Sequence, residues 1–203
     1  MARHLIECVP NFSEGRRPDV IEAVVAPFRG RKGCHLLDYR ADPDHNRLVV
    51  SLVGQAEPIQ EALLAASLVA VDKIDLNSHR GAHPRIGAID VIPLVPLRNI
   101  AMEECVRLAH SFGERFRRAT GVPVYFYEEA ALKPQRTALE VIRKGQFEVL
   151  RHEVTQPDRH PDISGMRDKE LAGALLVRTT ELLDQIENAW KLLEQDFEQR
   201  LGP

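Results

Sequence analysis

A short stretch at residues 79–93, HRGAHPRIGAIDVIP, concentrates side chains that can transfer protons and bind anions. His79 and His83 can take up and release protons near neutral pH, because imidazole titrates there. Arg80 and Arg85 carry forked donors that match carboxylates. The stretch predicts an anion site with His83 as a proton shuttle. Spacing alone leaves open the alternative that His83 caps the following strand and Arg85 pairs with a neighbouring aspartate.

The four-residue separation of His79 and His83 also matches a pair of zinc ligands on one face of a helix. Gly81 and Pro84 lie between and directly after them, and both residue types oppose a continuous helix. We therefore predict no metal site here.

A second polar cluster, DPDHNR, covers residues 42–47. Asn46 and Arg47 begin a predicted strand and can present an amide and a guanidinium to a ligand. The alternative interpretation is a polar turn whose aspartates accept hydrogen bonds from backbone amides.

A third cluster, ECVPNFSEGR at residues 7–16, contains Asn11 and forms a predicted strand-to-helix turn in which Ser13 is the expected helix N-cap. The amides at such a helix start can bind an anion. A capped helix start without any ligand is the alternative. Glu128 and Glu129 follow another predicted strand, and either can supply a site acid.

Predicted strands and helices alternate along the chain, which indicates the α/β class: an α+β sandwich with a mixed β-sheet and helices on one outer face. Period-two or apolar runs predict strands at residues 5–9, 34–37, 48–53, 89–95 and 122–127. Helical periodicity predicts helices at residues 20–28, 58–73, 102–118 and 137–142.

Composition limits the function classes. The 203 residues are 44% hydrophobic and 28% charged, with a net charge of −3. No basic stripe with interleaved aromatics is present, so we predict no nucleic-acid partner. No apolar run reaches the roughly 18–20 residues of a membrane span, so no membrane partner is predicted either. Cys8, Cys34 and Cys105 lie in apolar contexts without C-x-x-C spacing, which favours core positions and a cytoplasmic location.

Several motifs occur in a fixed order: ECVPNFSEGR, LLD before DHNR, HRGAHPRIGAIDVIPLVP, VPVYFYEEAA, and IRKGQFEVL. Together they resemble the N-terminal subdomain of the formiminotransferase family from about residue 4 to residue 150. The resemblance implies a mixed sheet with outer helices and transfer of a formimino group from N-formimino-L-glutamate to tetrahydrofolate. This reaction belongs to histidine degradation and one-carbon metabolism. The family's catalytic acid/base histidine falls on His83.

On this resemblance, tetrahydrofolate is the co-substrate and no metal is required. Both substrates carry carboxylates, so Arg47 and Arg85 are the predicted clamps. One departure is Ala82, where the family commonly has a glutamate before the histidine. The complete set of predicted substrate- or folate-binding residues is Asn11, Asn46, Arg47, His79 and Arg85.

The domain prediction has three parts: a family-like domain at residues 1–152, a linker at 153–166, and a long helix at 167–203. Apolar residues recur every three or four positions from Leu171 to Leu201. This helix is expected in place of the family's second subdomain, and either it or a second copy must cover the sheet; we predict a homodimer. Two other functions stay open: a non-catalytic folate- or partner-binding relative, and an assembly module for a separate second-subdomain protein.

Overall fold

The computed structural model describes residues 4–164 of the chain. These residues form a six-stranded sheet, five α-helices and three short 3-10 turns. The strands are β1 (Leu5–Cys8), β2 (Asn11–Phe12), β3 (Cys34–Asp42), β4 (Arg47–Gly54), β5 (Ile89–Val91) and β6 (Leu94–Arg98). The helices are α1 (Pro18–Val25), α2 (Ala56–Lys73), α3 (Met102–Thr120), α4 (Leu139–Arg143) and α5 (Gln146–Glu153).

β1 and β2 act as one strand interrupted near Pro10, since both pair antiparallel with β4 in a single register, Cys8 opposite Leu52 and Asn11 opposite Val49. On their other side they pair with β6 and β5, which are separated at Pro93 in the same way. Proline cannot donate to a ladder, which explains both interruptions. The sheet therefore has four rows, in the order β3, β4, β1/β2 and β6/β5, forming two interleaved βαβ units of the ferredoxin-like type.

One face of this sheet carries the core. In β4 every second residue is fully buried, as the period of two in a strand requires. Helices α1 and α2 pack against each other over this face, and α3 packs on α2 and β6. The fully buried strand residues on this face include Ile6, Cys8, Phe12, Leu48, Val50 and Leu52. The prediction of helices on one outer face of the sheet is confirmed.

The predicted sheet differs from the structure in detail. A mixed sheet was expected, but every strand pairing among residues 4–164 is antiparallel. The helical crossovers join rows that are not neighbours, so parallel strands never meet. The predicted strand at 122–127 is absent from the sheet; Val124 forms only an isolated bridge with Ile163. Cys8, Cys34 and Cys105 are buried and free, as expected of core residues.

The opposite face of the sheet is only partly covered. Val53, Glu7 and Val95 stand opposite one another across β4, β1 and β6, and all three are at least partly exposed. Leu37 and Leu97 are 61% and 53% exposed. The predicted helix at 167–203 lies outside the described residues. None of the helices at 4–164 is long and apolar enough to span a membrane.

Candidate active site

His83 lies in the loop before β5, with its side chain 11% exposed. Arg47, the first residue of β4, places Nη1 3.4 Å from His83 Nδ1. An arginine can only donate, so Nδ1 is the acceptor and the neutral ring carries its proton on Nε2. His83 Nε2 in turn lies 3.4 Å from Asp90 Oδ2 on β5. The imidazole therefore lies between a cation and an anion supplied by two strands.

Asp90 is the most deeply buried group of this site, with a side chain that is 1% exposed. Its Oδ1 accepts a hydrogen bond of 2.9 Å from the backbone N–H of Ile86, which fixes the carboxylate on the loop. Its Oδ2 also pairs with Arg143 Nη2 at the end of α4. Asp90 thus connects the histidine loop, β5 and α4 at one point. We call Arg47, His83, Asp90 and Arg143 the histidine cluster.

The surroundings of His83 favour its neutral form. Its pKa is lowered from the usual 6.5, chiefly because burial disfavours the charged ring. Asp90 opposes this shift, whereas the charges of Arg47 and Arg143 strengthen it. A neutral imidazole at neutral pH is the form that accepts a proton, so the cluster holds His83 as a base.

The hydrogen-bond donors of Arg85 are used in contacts outside the histidine cluster. Its guanidinium, 4% exposed, binds both carboxylate oxygens of Glu148 on α5, at 2.9 and 2.6 Å. It also donates to Gln146 Oε1 at 2.9 Å and, through Nε, to His79 Nδ1 at 3.0 Å. All its nitrogens are engaged within the chain. In this structure these contacts hold the loop against α5, and the role of Arg85 as a substrate clamp stays a prediction.

His79 and Asn46 are likewise engaged internally. His79 Nε2 donates to the backbone carbonyl of Asn46 at 3.0 Å. The Asn46 amide accepts from Gly15 N–H at 2.8 Å and donates to the Arg80 carbonyl at 3.0 Å. Asn46 has φ +50°, a left-handed conformation that asparagine tolerates. Both residues were predicted to bind a ligand, and that role stays a prediction; their contacts in this structure tie three loops together.

Gly81 makes this junction possible. A Cβ atom added there would lie 2.3 Å from the carbonyl oxygen of His45, closer than any real contact allows. The glycine thus serves backbone packing between the loop and the β3–β4 turn. Asp42 in that turn accepts the amides of Asp44 and His45, as the polar-turn interpretation expected.

In the third predicted cluster, at residues 7–16, the carboxylate of Glu14 lies at the start of α1. Glu14 accepts hydrogen bonds from the amides of Arg16 and Arg17 at 2.9 Å each and pairs with the Arg17 side chain. The helix start is occupied by a protein carboxylate, which favours the interpretation without a ligand. Ser13 is not the N-cap; its hydroxyl donates to the Gly87 carbonyl at 2.7 Å instead. Asn11 lies in β2, opposite Val49, and donates to the Val9 carbonyl at 3.0 Å.

We expect stability to fall as pH drops below neutrality, with His79 as one cause. Burial lowers the pKa of His79, and the Arg85 charge adds to this. The unfolded chain then binds more protons than the native protein between the lowered value and about 6.5, so the free energy of unfolding decreases as pH falls through this range. Urea denaturation at pH 7 and pH 5 measures the loss. His79→Gln will flatten this dependence; an unchanged slope in that variant would contradict the assignment.

Asp90 also lines a cavity of about 340 Å³ between the β5–β6 segment, α3 and residues 122–130. Its walls are mainly apolar, with Ala109 of α3 on one side and Tyr127 on the other. Burial raises the pKa of Tyr127, so its hydroxyl stays protonated. No three His, Cys, Asp or Glu side chains in residues 4–164 are grouped so that they could hold a metal ion.

Sequence reasoning missed Asp90 and Arg143. The signal for Asp90 was a single carboxylate inside the apolar run AIDVIP, seven residues after His83. Such an isolated charge in a strand is expected to be paired. Arg143 had no comparable signal, because its pairing depends on where α4 packs.

Comparison with known proteins identifies the family. Residues 5–180 match the family model described as formiminotransferase domain, N-terminal subdomain. Glutamate formimidoyltransferase of Streptococcus pyogenes serotype M1 is 41% identical over 173 residues, which are 85% of this chain and 58% of that protein. Formimidoyltransferase-cyclodeaminase of Gallus gallus is 48% identical over 158 residues, 78% of this chain and 29% of that protein.

A second glutamate formimidoyltransferase, from Thermoplasma acidophilum, is 41% identical over 176 residues, covering 84% of this chain and 58% of its own length. The chain thus spans between about a third and just over half of these curated relatives. The family model covers most of the chain, including the whole histidine cluster. The chain belongs to the formiminotransferase family, in which it corresponds to the N-terminal subdomain.

Proposed function

We propose that the chain takes part in transferring a formimino group from N-formimino-L-glutamate to tetrahydrofolate, with His83 as the acid/base. The observation that carries the proposal is the buried imidazole between Arg47 and Asp90, held neutral by its surroundings. The names of the relatives, glutamate formimidoyltransferase and formimidoyltransferase-cyclodeaminase, support the choice of substrates.

The proton transfers follow from the roles of the two ring nitrogens. An amine of tetrahydrofolate displaces the Arg47 Nη1 contact from His83 Nδ1. It attacks the amidine carbon, forming a new C–N bond, and loses a proton to His83 Nδ1. The imidazolium that results carries Nε2–H toward Asp90, whose negative charge stabilises it. The bond from the carbon to the glutamate nitrogen then breaks, and His83 returns the proton to that leaving nitrogen. The ring is neutral again at the end of the cycle.

The cavity beside Asp90 supports a flat, mainly apolar ligand, and we assign it to a ring of the folate. Its apolar walls and the Tyr127 hydroxyl match the mixture of apolar surface and few polar groups found in small-molecule sites. The partly exposed face of the sheet supports a covering partner, and the proposal includes the predicted homodimer and a cytoplasmic location. The division at residue 152 stays a prediction.

Filling the cavity will weaken folate binding. In Ala109→Phe, the larger side chain enters the cavity from α3, and we expect tetrahydrofolate affinity to fall by about tenfold or more, because the ring and the phenyl group compete for one space. Calorimetric titration of each variant measures the affinity. The matched control, Ala101→Phe, alters an exposed residue at the start of α3 and will bind as the wild type does. Equal tetrahydrofolate affinity in both variants would show that the folate ring does not bind in this cavity.

The alternative, a non-catalytic ligand-binding relative, is favoured by Ala82 in place of the family's usual glutamate. A spectrophotometric assay of the 203-residue chain with both substrates separates the two. Formation of formiminotetrahydrofolate and release of glutamate support the transferase. Saturable binding of folate without product formation, at any enzyme concentration tested, would establish the alternative instead.

A further inference from the structure

Two arginines flank His83 from different parts of the chain. Arg47 Nη1 faces the Nδ1 side of the ring from β4. Arg143 reaches the Nε2 side from α4, where it pairs with the carboxylate that faces that nitrogen. Arg143 is 18% exposed, so it lies at the rim of the histidine cluster.

Both guanidiniums retain a donor without a partner. Five buried side-chain polar atoms in residues 4–164 have no hydrogen-bond partner, and three of them are Arg47 Nε, His83 Nε2 and Arg143 Nε. A buried donor without an acceptor costs about 1–3 kcal/mol, so such atoms are rare unless a ligand or ordered water completes them. Their concentration around one imidazole indicates a place where an acceptor binds.

The charges of the histidine cluster do not balance. Arg47 and Arg143 are both cationic, His83 is held neutral, and Asp90 supplies the single negative charge. Arg47 forms no ion pair with a described residue, since its contact is with the His83 ring. An excess positive charge in a half-buried site favours an anion.

We propose that Arg47 and Arg143, on opposite sides of His83, each bind carboxylate oxygens of the substrate and that Arg143, rather than Arg85, is the second clamp. The inference rests on the proposed function only for the identity of the anion, a carboxylate of formiminoglutamate. The unpartnered donors and the excess positive charge by themselves favour an anion with oxygen acceptors. Arg85 cannot serve, because its donors are satisfied by Glu148, Gln146 and His79.

The same contacts couple binding to the chemistry. The charged groups that face His83 are Asp90 from β5, Arg47 from β4 and Arg143 from α4. Substrate carboxylate groups bound at the two arginines neutralise the cations that disfavour the imidazolium, and Asp90 is then unopposed. The bound substrate therefore makes His83 a stronger base at the moment when a base is needed.

The test uses glutarate, a dicarboxylate that carries no transferable group, with the 203-residue chain. Calorimetry measures its affinity, and NMR of the histidine ring protons follows His83, identified with His83→Gln. We expect Arg143→Gln to weaken glutarate binding by roughly 10- to 100-fold, the value of a charged hydrogen-bonded pair. Arg143→Lys keeps the charge without the forked donors, so its glutarate affinity will lie between those of the wild type and Arg143→Gln. Arg107→Gln, the same change at an exposed arginine of α3, will bind glutarate normally.

Circular dichroism of each variant shows that it is folded before binding is compared. In the wild type, glutarate will raise the pKa of His83, and Arg143→Gln will show a smaller response. The proposal is overturned if wild-type protein shows no saturable glutarate binding, or if folded Arg143→Gln and Arg143→Lys bind as the wild type does. A chain that binds glutarate through Arg143 but never transfers a formimino group would refute the proposed function and leave this inference standing. Normal turnover with an unchanged KM for formiminoglutamate in Arg143→Gln would refute this inference and leave the proposed function standing.

Discussion

Turnover by His83→Ala will be lower than that of the wild type by about 10²- to 10⁴-fold, while both substrates still bind. The proposed reaction must remove one proton from the attacking amine and deliver one to the leaving amine. The ring nitrogens of His83 lie between Arg47 and Asp90, where the imidazole can carry out both proton transfers. An alanine side chain can carry out neither. Steady-state kinetics will place the loss in kcat rather than in KM.

The matched control is His35→Ala, the same substitution at an exposed histidine of β3. It will keep wild-type turnover. Since the pKa of His83 is lowered, the acidic limb of kcat/KM will lie below pH 6.5, and it will disappear in His83→Ala. A variant without His83 that retains near-normal kcat would show that another group transfers the protons.

Asp90→Asn will destabilise the protein by about 3 kcal/mol, as expected when one partner of a buried ion pair is removed. The substitution keeps the shape of the side chain but leaves Arg143 without its anion, and it removes the charge that faces His83 Nε2. Urea denaturation at pH 7 will measure the loss in the free energy of unfolding. Turnover at 25 °C will also fall, because the imidazolium formed during the reaction loses its counter-charge.

Two comparisons separate these effects. Asp44→Asn changes an exposed aspartate and will shift stability by no more than about 0.5 kcal/mol. The double variant Asp90→Asn/Arg143→Gln will be less destabilised than the sum of the single variants, because the two residues neutralise each other in one buried contact. Strict additivity would mean that the Asp90–Arg143 pair contributes no coupling energy and that Asp90 stabilises the protein through Ile86 and His83 instead.

The sequence predicted a site at His83 and Arg47 because their signals are local. A histidine before proline, beside glycine and arginine, cannot continue a helix and must lie in a loop, whatever the rest of the chain does. Arg47 begins a strand whose alternating pattern is visible in the printed sequence. The structure brings the two within 3.4 Å of each other, although they are 36 residues apart.

Arg85, His79 and Asn46 have contacts that local reasoning did not predict. Their residue types fit a ligand site, and nothing nearby in the sequence satisfies their donors. Their partners come from distant segments: Glu148 is 63 residues from Arg85, and Gly15 is 31 residues from Asn46. A polar side chain is available to a ligand only if the fold leaves it unsatisfied, and residue type does not reveal that.

The open face of the sheet illustrates the same division. Alternation in β4 predicts which residues face the helices, and Leu48, Val50 and Leu52 are indeed fully buried. It does not predict what stands opposite Val53 and Glu7, since that depends on the pairing of β1 with β4 and β6.

The sequence by itself determined the alternation of strands and helices, the buried face of β4, the family and the loop that carries His83. Each depends on residues close together in the chain, where periodicity, proline and glycine act directly on the backbone. Only the tertiary structure decided the antiparallel order of the sheet, the pairing of Asp90 with Arg143, and the internal use of Arg85. These depend on register and helix packing, which bring together groups that no local rule connects, and burial then fixes which charges are paired and which can meet a ligand.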